Sequence, residues 1–206
     1  MKCIINGKLI LKDKVAENMS IVFDEKIVKI ADLNEINTTD YEIIDAKGMY
    51  IVPGFIAMNV YGGGGRDFRE CEEEAFRTVI STHLKYGATS IFPTLATSPA
   101  ESIYKAIGIC EKLMKEKSSQ VMGLHLAGPY LNHKMSGPIH KVKNPDKAEY
   151  TAILESTECI KRWDISPELP GAHELAKALT ERGILATITH TEAEFGDIKA
   201  AHEAGN

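Results

Sequence analysis

The sequence predicts an α/β chain, with a β-rich opening segment over residues 1–52 and an alternating β–α segment over residues 53–206. Three observations predict it. Short apolar runs broken by Asn-Gly and Asp-Glu pairs fill the first segment. From Pro53 onward, apolar runs of strand length alternate with stretches of helical periodicity. Glycine or proline punctuates most of the junctions. With 44% hydrophobic and 26% charged residues, the 206-residue chain has the composition of a globular protein able to bury a substantial core.

In the opening segment, Ile4-Ile5, Asn6-Gly7 and Leu9 to Leu11 predict a hairpin, because Asn and Gly both accept the positive φ of a type I′ turn. Ser20 to Phe23, the Asp24-Glu25 turn and Ile27 to Ile30 repeat the arrangement. A third stretch, Tyr41 to Ile44, ends at Asp45-Ala46-Lys47-Gly48 before Met49 to Val52. These are strands of a small sheet.

The second segment predicts about five β–α units of a parallel sheet. Phe55 to Val60 is its first strand, closed by Gly62 to Gly65. Residues 71 to 86 place Phe76, Val79, Ile80 and Leu84 on one helical face, and Gly87 stops that helix. Ser90 to Leu95 follows as a strand. Ser98-Pro99-Ala100-Glu101 reads as a capping box with proline at the first helical position, opening a helix with Ile103, Ile107 and Cys110 inward. Val121 to Leu126 is the third strand, followed by a long loop through Asn144-Pro145. A fourth strand near Arg162 to Ser166 leads into a helix with Leu175, Ala178 and Leu179 inward and Gly183 as its cap. Ile184 to Thr189 forms the fifth strand, ending at His190, and a last helix carries Phe195, Ile198 and Ala201.

A net charge of -5 provides no basic face for a nucleic-acid backbone or an anionic membrane. No apolar run reaches the length of a membrane span, and the first residues form strands, so a cytoplasmic location is expected. Cys3, Cys71, Cys110 and Cys159 have no C-x-x-C spacing and read as reduced, mostly buried small hydrophobes. The glycine run Gly62 to Gly65 lacks both the Lys-Ser/Thr of a P-loop and the spacing of a dinucleotide fingerprint.

Five segments in series carry a resemblance. They are Pro53-Gly54-Phe55-Ile56 with Gly62 to Gly65; Thr89-Ser90-Ile91-Phe92-Pro93-Thr94-Leu95 with Thr97-Ser98-Pro99; Gly123-Leu124-His125-Leu126-Ala127-Gly128-Pro129-Tyr130-Leu131-Asn132; Ser166-Pro167-Glu168 with Gly171-Ala172; and Thr189-His190-Thr191. In order and spacing the chain resembles the N-terminal part of the N-acetylglucosamine-6-phosphate deacetylases of the amidohydrolase superfamily. The resemblance implies a partial TIM (β/α)8 barrel over residues 53–206, with residues 1–52 contributing to a composite β-sandwich. The family reaction is metal-dependent hydrolysis of the N-acetyl group of N-acetylglucosamine-6-phosphate to glucosamine-6-phosphate and acetate. A divalent metal, zinc or iron, polarises the carbonyl and activates a water.

By that resemblance His190 stands at a metal-ligand position, while the family's metal glutamate falls on Ala127, whose methyl group cannot coordinate a cation. The general-base aspartate and a further histidine belong to strands beyond Asn206, so no catalytic residue is assigned within the chain. Asn59-Val60-Tyr61 stands where many amidohydrolases have His-x-His. One imidazole does not retain a metal, and the expectation is a truncated amidohydrolase, impaired on its own, that does not keep the ion. The Lys134 to His140 loop resembles the substrate-phosphate region. Aligned without a gap, Pro138 and Ile139 take the contacting places; with one inserted residue His140 does, and imidazole can donate to a phosphate.

His125 shares a strand face with Ala127 and reads as a core histidine; His83, His133, His173 and His202 carry no functional assignment. The apolar fifth strand is an edge open to pairing, so self-association or a complementing fragment is expected beside the amino-sugar phosphate as partner. A non-catalytic sugar-phosphate module and one half of a split deacetylase are the alternatives.

Overall fold

A computed structural model describes residues 1–137 and 141–205. The chain divides into two compact units, Met1–Gly54 and Phe55–Asn206.

The first unit is a five-stranded sheet of β1 (Lys2–Ile10), β2 (Val15–Phe23), β3 (Ile27–Asp32), β4 (Glu42–Asp45) and β5 (Tyr50–Ile51), ordered β3-β2-β1-β4 with β5 also beside β1. The β1–β2 and β2–β3 pairs are antiparallel, whereas β4 and β5 run parallel to β1. The expected hairpin at Asn6-Gly7 does not form. β1 passes straight through it, and Ile4 pairs with Ile21 while Gly7 pairs with Met19, leaving one extra residue on β1. Asn6, with φ +57, therefore makes a β-bulge and not a turn. Its amide donates to Asp45 Oδ1 at 3.1 Å, a long-range contact that a two-residue turn could not supply. The reversal falls later, where the Leu11 amide donates to the Lys14 carbonyl. The Asp24-Glu25 turn forms between β2 and β3 as expected.

In the second unit the parallel strands β6 (Phe55–Val60), β9 (Ala88–Ala96), β10 (Leu124–Ala127), β11 (Ile160–Ile165) and β12 (Leu185–Ile188) stand in chain order β6-β9-β10-β11-β12. This is a curled half-barrel sheet, with helices α1 (Glu73–Lys85), α2 (Ala100–Met114), α3 (Lys147–Ser156), α4 (Ala172–Glu181) and α5 (Phe195–Gly205) in the connections and after β12. A tight ribbon, β7 (Gly62–Gly63) and β8 (Arg66–Asp67), closes the glycine run, with Gly64 and Gly65 at positive φ in its turn. The core joins Phe76 and Val79 of α1, Ile103 and Ile107 of α2, Ile153 of α3 and Leu175 and Leu179 of α4 to Ile91, Leu126 and Trp163 of the sheet.

Two expectations for this unit are corrected. Leu84 is exposed, because at 3.6 residues per turn it lies ~80° round the helix from Phe76, at the margin of the buried stripe. Ser98 does not cap α2; its hydroxyl donates back to the Ala96 carbonyl at 2.6 Å, and Pro99 takes the N-cap position without a side-chain bond. Beyond the expected loop through Asn144-Pro145, a stretch to which the sequence assigned no element forms α3, whose N-cap Asp146 accepts from the Glu149 amide. Phe195, at the first position of α5, is exposed. Among the described residues no helix is long and apolar enough to cross a membrane.

Candidate functional site

Parallel strands bring their C-terminal ends together, and of the site residues expected from the sequence Ala127 ends β10 while His190 stands in the loop that leaves β12. In a parallel pair, residues in register face the same way. His125 on β10 registers with Thr94 on β9 and Arg162 on β11, and Ala127 registers with Ala96 and Asp164. Asp164 in turn registers with Thr187 on β12. One face of the sheet therefore carries a polar layer at its centre, opposite the face on which Leu126 and Trp163 enter the core.

His125 is completely buried. Its Nδ1 lies 3.1 Å from Thr94 Oγ1, and that hydroxyl also accepts from the Val60 amide at 2.8 Å. Its Nε2 lies 2.9 Å from Asp164 Oδ1, but without the alignment of a hydrogen bond. Arg162 Nε lies 3.2 Å from the same oxygen and 2.9 Å from Thr187 Oγ1. The Asp164 charge is thus balanced by a guanidinium on its own strand. Burial and the Asp164 carboxylate push the Tyr61 phenol up, so it stays protonated beside this cluster. Sequence reasoning missed Arg162 and Asp164; their signal was two charges at alternate positions in a strand otherwise read as core.

Ala127 is 1% exposed, and its carbonyl accepts from the Thr97 hydroxyl at 3.3 Å. A methyl group therefore lines the strand end where the resemblance requires a carboxylate. His190 follows β12, half-buried, with φ +49. Its Nδ1 lies 3.0 Å from the Met135 carbonyl oxygen. A carbonyl only accepts, so Nδ1 carries a proton, and the neutral ring is the tautomer with its lone pair at Nε2, the one that suits a metal ligand.

Around His190 the loops are joined by polar groups. Glu168 Oε1 accepts from Asn132 Nδ2 at 2.6 Å and from the Glu192 amide at 2.9 Å, and its Oε2 accepts from the Thr191 hydroxyl. Burial raises the Glu168 carboxyl, but the bonds from Thr191, Asn132 and Glu192 outweigh it and hold it below the usual carboxylate range. An open cleft of about 640 Å³ runs beside these loops, lined by Asn132, His133, Lys134, Lys143 and Glu192 among others. Pro138, Ile139 and His140, the expected substrate contacts, lie outside the described residues. Among the described residues no three His, Cys, Asp or Glu side chains converge as a metal-holding group.

No family model matches the chain. It is 31% identical over 207 residues to the N-acetylglucosamine-6-phosphate deacetylase of Homo sapiens, covering 96% of this chain and 49% of that protein. To the N-acetylglucosamine-6-phosphate deacetylase of Haemophilus influenzae it is 26% identical over 208 residues, covering 98% of this chain and 54% of that one. The crystal structure of the deacetylase from Pasteurella multocida superposes with a TM-score of 0.91 at 25% identity, over 99% of this chain and 54% of that chain. The chain spans about half the length of the curated relatives it matches.

Proposed function

The chain is a relative of the N-acetylglucosamine-6-phosphate deacetylases over about half of their length, and we propose that it derives from a scaffold for hydrolysing the acetamide of N-acetylglucosamine-6-phosphate but does not perform that reaction by itself. The observation that carries the second half is Ala127. A catalytic metal site draws its affinity from three or four preorganised ligands. Here position 127 offers a buried methyl group, and the carboxylate in register with it, Asp164, is already engaged by Arg162. His190 has the right tautomer and stands alone. A divalent cation does not fit the side chains present, and no catalytic step is derived through one.

The amino-sugar phosphate remains the ligand class in keeping with the relatives' names, and His140, Pro138 and Ile139 the positions to probe for it. Two further readings accompany this one: residues 1–52 form a layer of a composite β-sandwich, and the exposed apolar edges of the parallel sheet take a complementing strand, from a second copy or another polypeptide. The test of the main reading is acetate release from N-acetylglucosamine-6-phosphate by purified protein supplied with zinc or iron. We expect no release above a denatured control. Release that the substitution His190→Ala abolishes would sink the reading.

A further inference from the structure

We infer that Glu168 is a positioning residue for His190: its carboxylate ties together the two loops whose separation decides whether His190 keeps its hydrogen bond to Met135. The imidazole and the carbonyl it donates to come from different loops. His190 leaves β12, whereas Met135 sits in the turn that follows β10, held where the Met135 amide donates to the Asn132 carbonyl and the Lys134 amide to Asn132 Oδ1. Apart from that bond, the two loops are joined directly, among the described residues, only through the Glu192 side chain, which accepts from Asn132 Nδ2 at 3.2 Å and pairs with the largely exposed Lys134 ammonium at 3.2 Å. Glu168, leaving the strand between them, reaches both: one oxygen accepts from Asn132 on the Met135 side, and both oxygens accept from Thr191 and Glu192 on the His190 side.

A carboxylate suits this place because it accepts at both oxygens and donates at neither, and all three groups facing it donate. His190 also has its backbone in the left-handed region at φ +49, which a residue with a side chain keeps only when its surroundings hold it. Ser166 supplies a second tie, accepting from the Asn132 amide at 2.8 Å and pointing its hydroxyl at the His190 carbonyl at 2.8 Å. The loops are therefore held by backbone as well as by Glu168, so that removing the carboxylate loosens His190 without dismantling the fold. The inference draws on the proposed function only for what the free Nε2 once served. The tautomer itself is independent of activity and of metal.

The experiment is nitrogen-resolved NMR of the imidazole rings in the whole 206-residue protein, at a pH where they are neutral. In the unsubstituted protein His190 is expected to show a protonated Nδ1 and an unprotonated Nε2. In Glu168→Ala its two nitrogens shift toward the Nε2–H form that free imidazole prefers, while His125 at the sheet centre keeps its signals. Glu168→Gln, which retains one acceptor oxygen, restores part of the original pattern. An Nε2–H His190 in the unsubstituted protein overturns the inference outright. So does a His190 pattern that neither substitution at Glu168 changes. If Glu168→Ala also displaces His125, the Gln variant decides by whether His190 alone moves. Detection of acetate release would sink the proposed function and leave this result standing.

Discussion

Nε2 of His125 lies 2.9 Å from Oδ1 of Asp164, and both side chains are almost wholly buried. Asp164 also faces the guanidinium of Arg162, so it neutralises one charge and faces one imidazole. Removing it in Asp164→Ala leaves the Arg162 charge without a counter-charge in a low-dielectric layer, with only the Thr187 hydroxyl still facing the guanidinium and the Thr94 hydroxyl the imidazole. Breaking a buried pair in this way costs about 3 kcal/mol. Urea unfolding should show the midpoint fall with little change in slope. A midpoint within error of the original would mean that the polar layer adds nothing to stability.

The state of Glu168 makes the loop clamp sensitive to acid. Its carboxyl is held below the ordinary value, so its stabilising contribution is complete above the unfolded value, about pH 4.3, and is lost as pH falls through the lower folded value. Hydrogen exchange at the Glu192 amide, corrected for intrinsic rate, should show constant protection from about pH 6 down to the unfolded value and a decline below it. Protection that instead declined above about pH 5 would contradict the sign of the effect.

The edges of the parallel sheet expose apolar side chains, Phe55 and Ile56 on β6 and Leu185 on β12, each more than half exposed. A flat apolar edge with free backbone groups recruits another strand. Light scattering at rising protein concentration should therefore report association, and Leu185→Lys should weaken it, since an edge lysine must be desolvated before a strand can pair there. Equal association by both proteins would move the contact away from β12.

Gly7 marks where local chemistry misled. Asn6-Gly7 between apolar runs is a strong hairpin signal, yet the position is taken by a bulge, because Gly7 lies against a parallel strand contributed from about forty residues further on. A Cβ built on Gly7 would fall 2.2 Å from Ile51 Cδ1. Gly7→Ala should cost about 2 kcal/mol by overpacking, and adding Ile51→Ala should recover much of that cost. Strictly additive losses in thermal unfolding would show that the close approach is not the reason for the glycine.

The parallel strands were legible where the sequence alternates apolar runs with helical periodicity, and Phe55–Val60 falls at the expected bounds. Helix α3 was not, since its weakly amphipathic face gave little periodic signal and only Asp146 with Glu149 marked its start. At the site, the strings around Ala127 and His190 were readable because they are contiguous. The pairing of Arg162 with Asp164 and the reach of Glu168 to Asn132 were not, since both depend on which neighbouring side chains the fold brings into reach, and spacing alone does not give that.

Ala127→Glu tests the proposed loss of the metal directly. Position 127 is 1% exposed and in register with Asp164, so a new carboxylate is buried beside an existing one and the thermal midpoint should fall. If His190 keeps its ligand-ready Nε2, the added carboxylate supplies a second donor, a weak site short of the three or four ligands of a catalytic centre, and zinc in large excess should raise the midpoint of the variant while leaving the original protein unchanged. Each tenfold rise in free zinc above the dissociation constant adds about 1.4 kcal/mol of stability. The rise should vanish in the double variant Ala127→Glu/His190→Ala, because only a site that uses both side chains loses its ion when the imidazole is removed. Zinc stabilising the original protein as strongly as the variant would show that Ala127 is not what keeps the metal out.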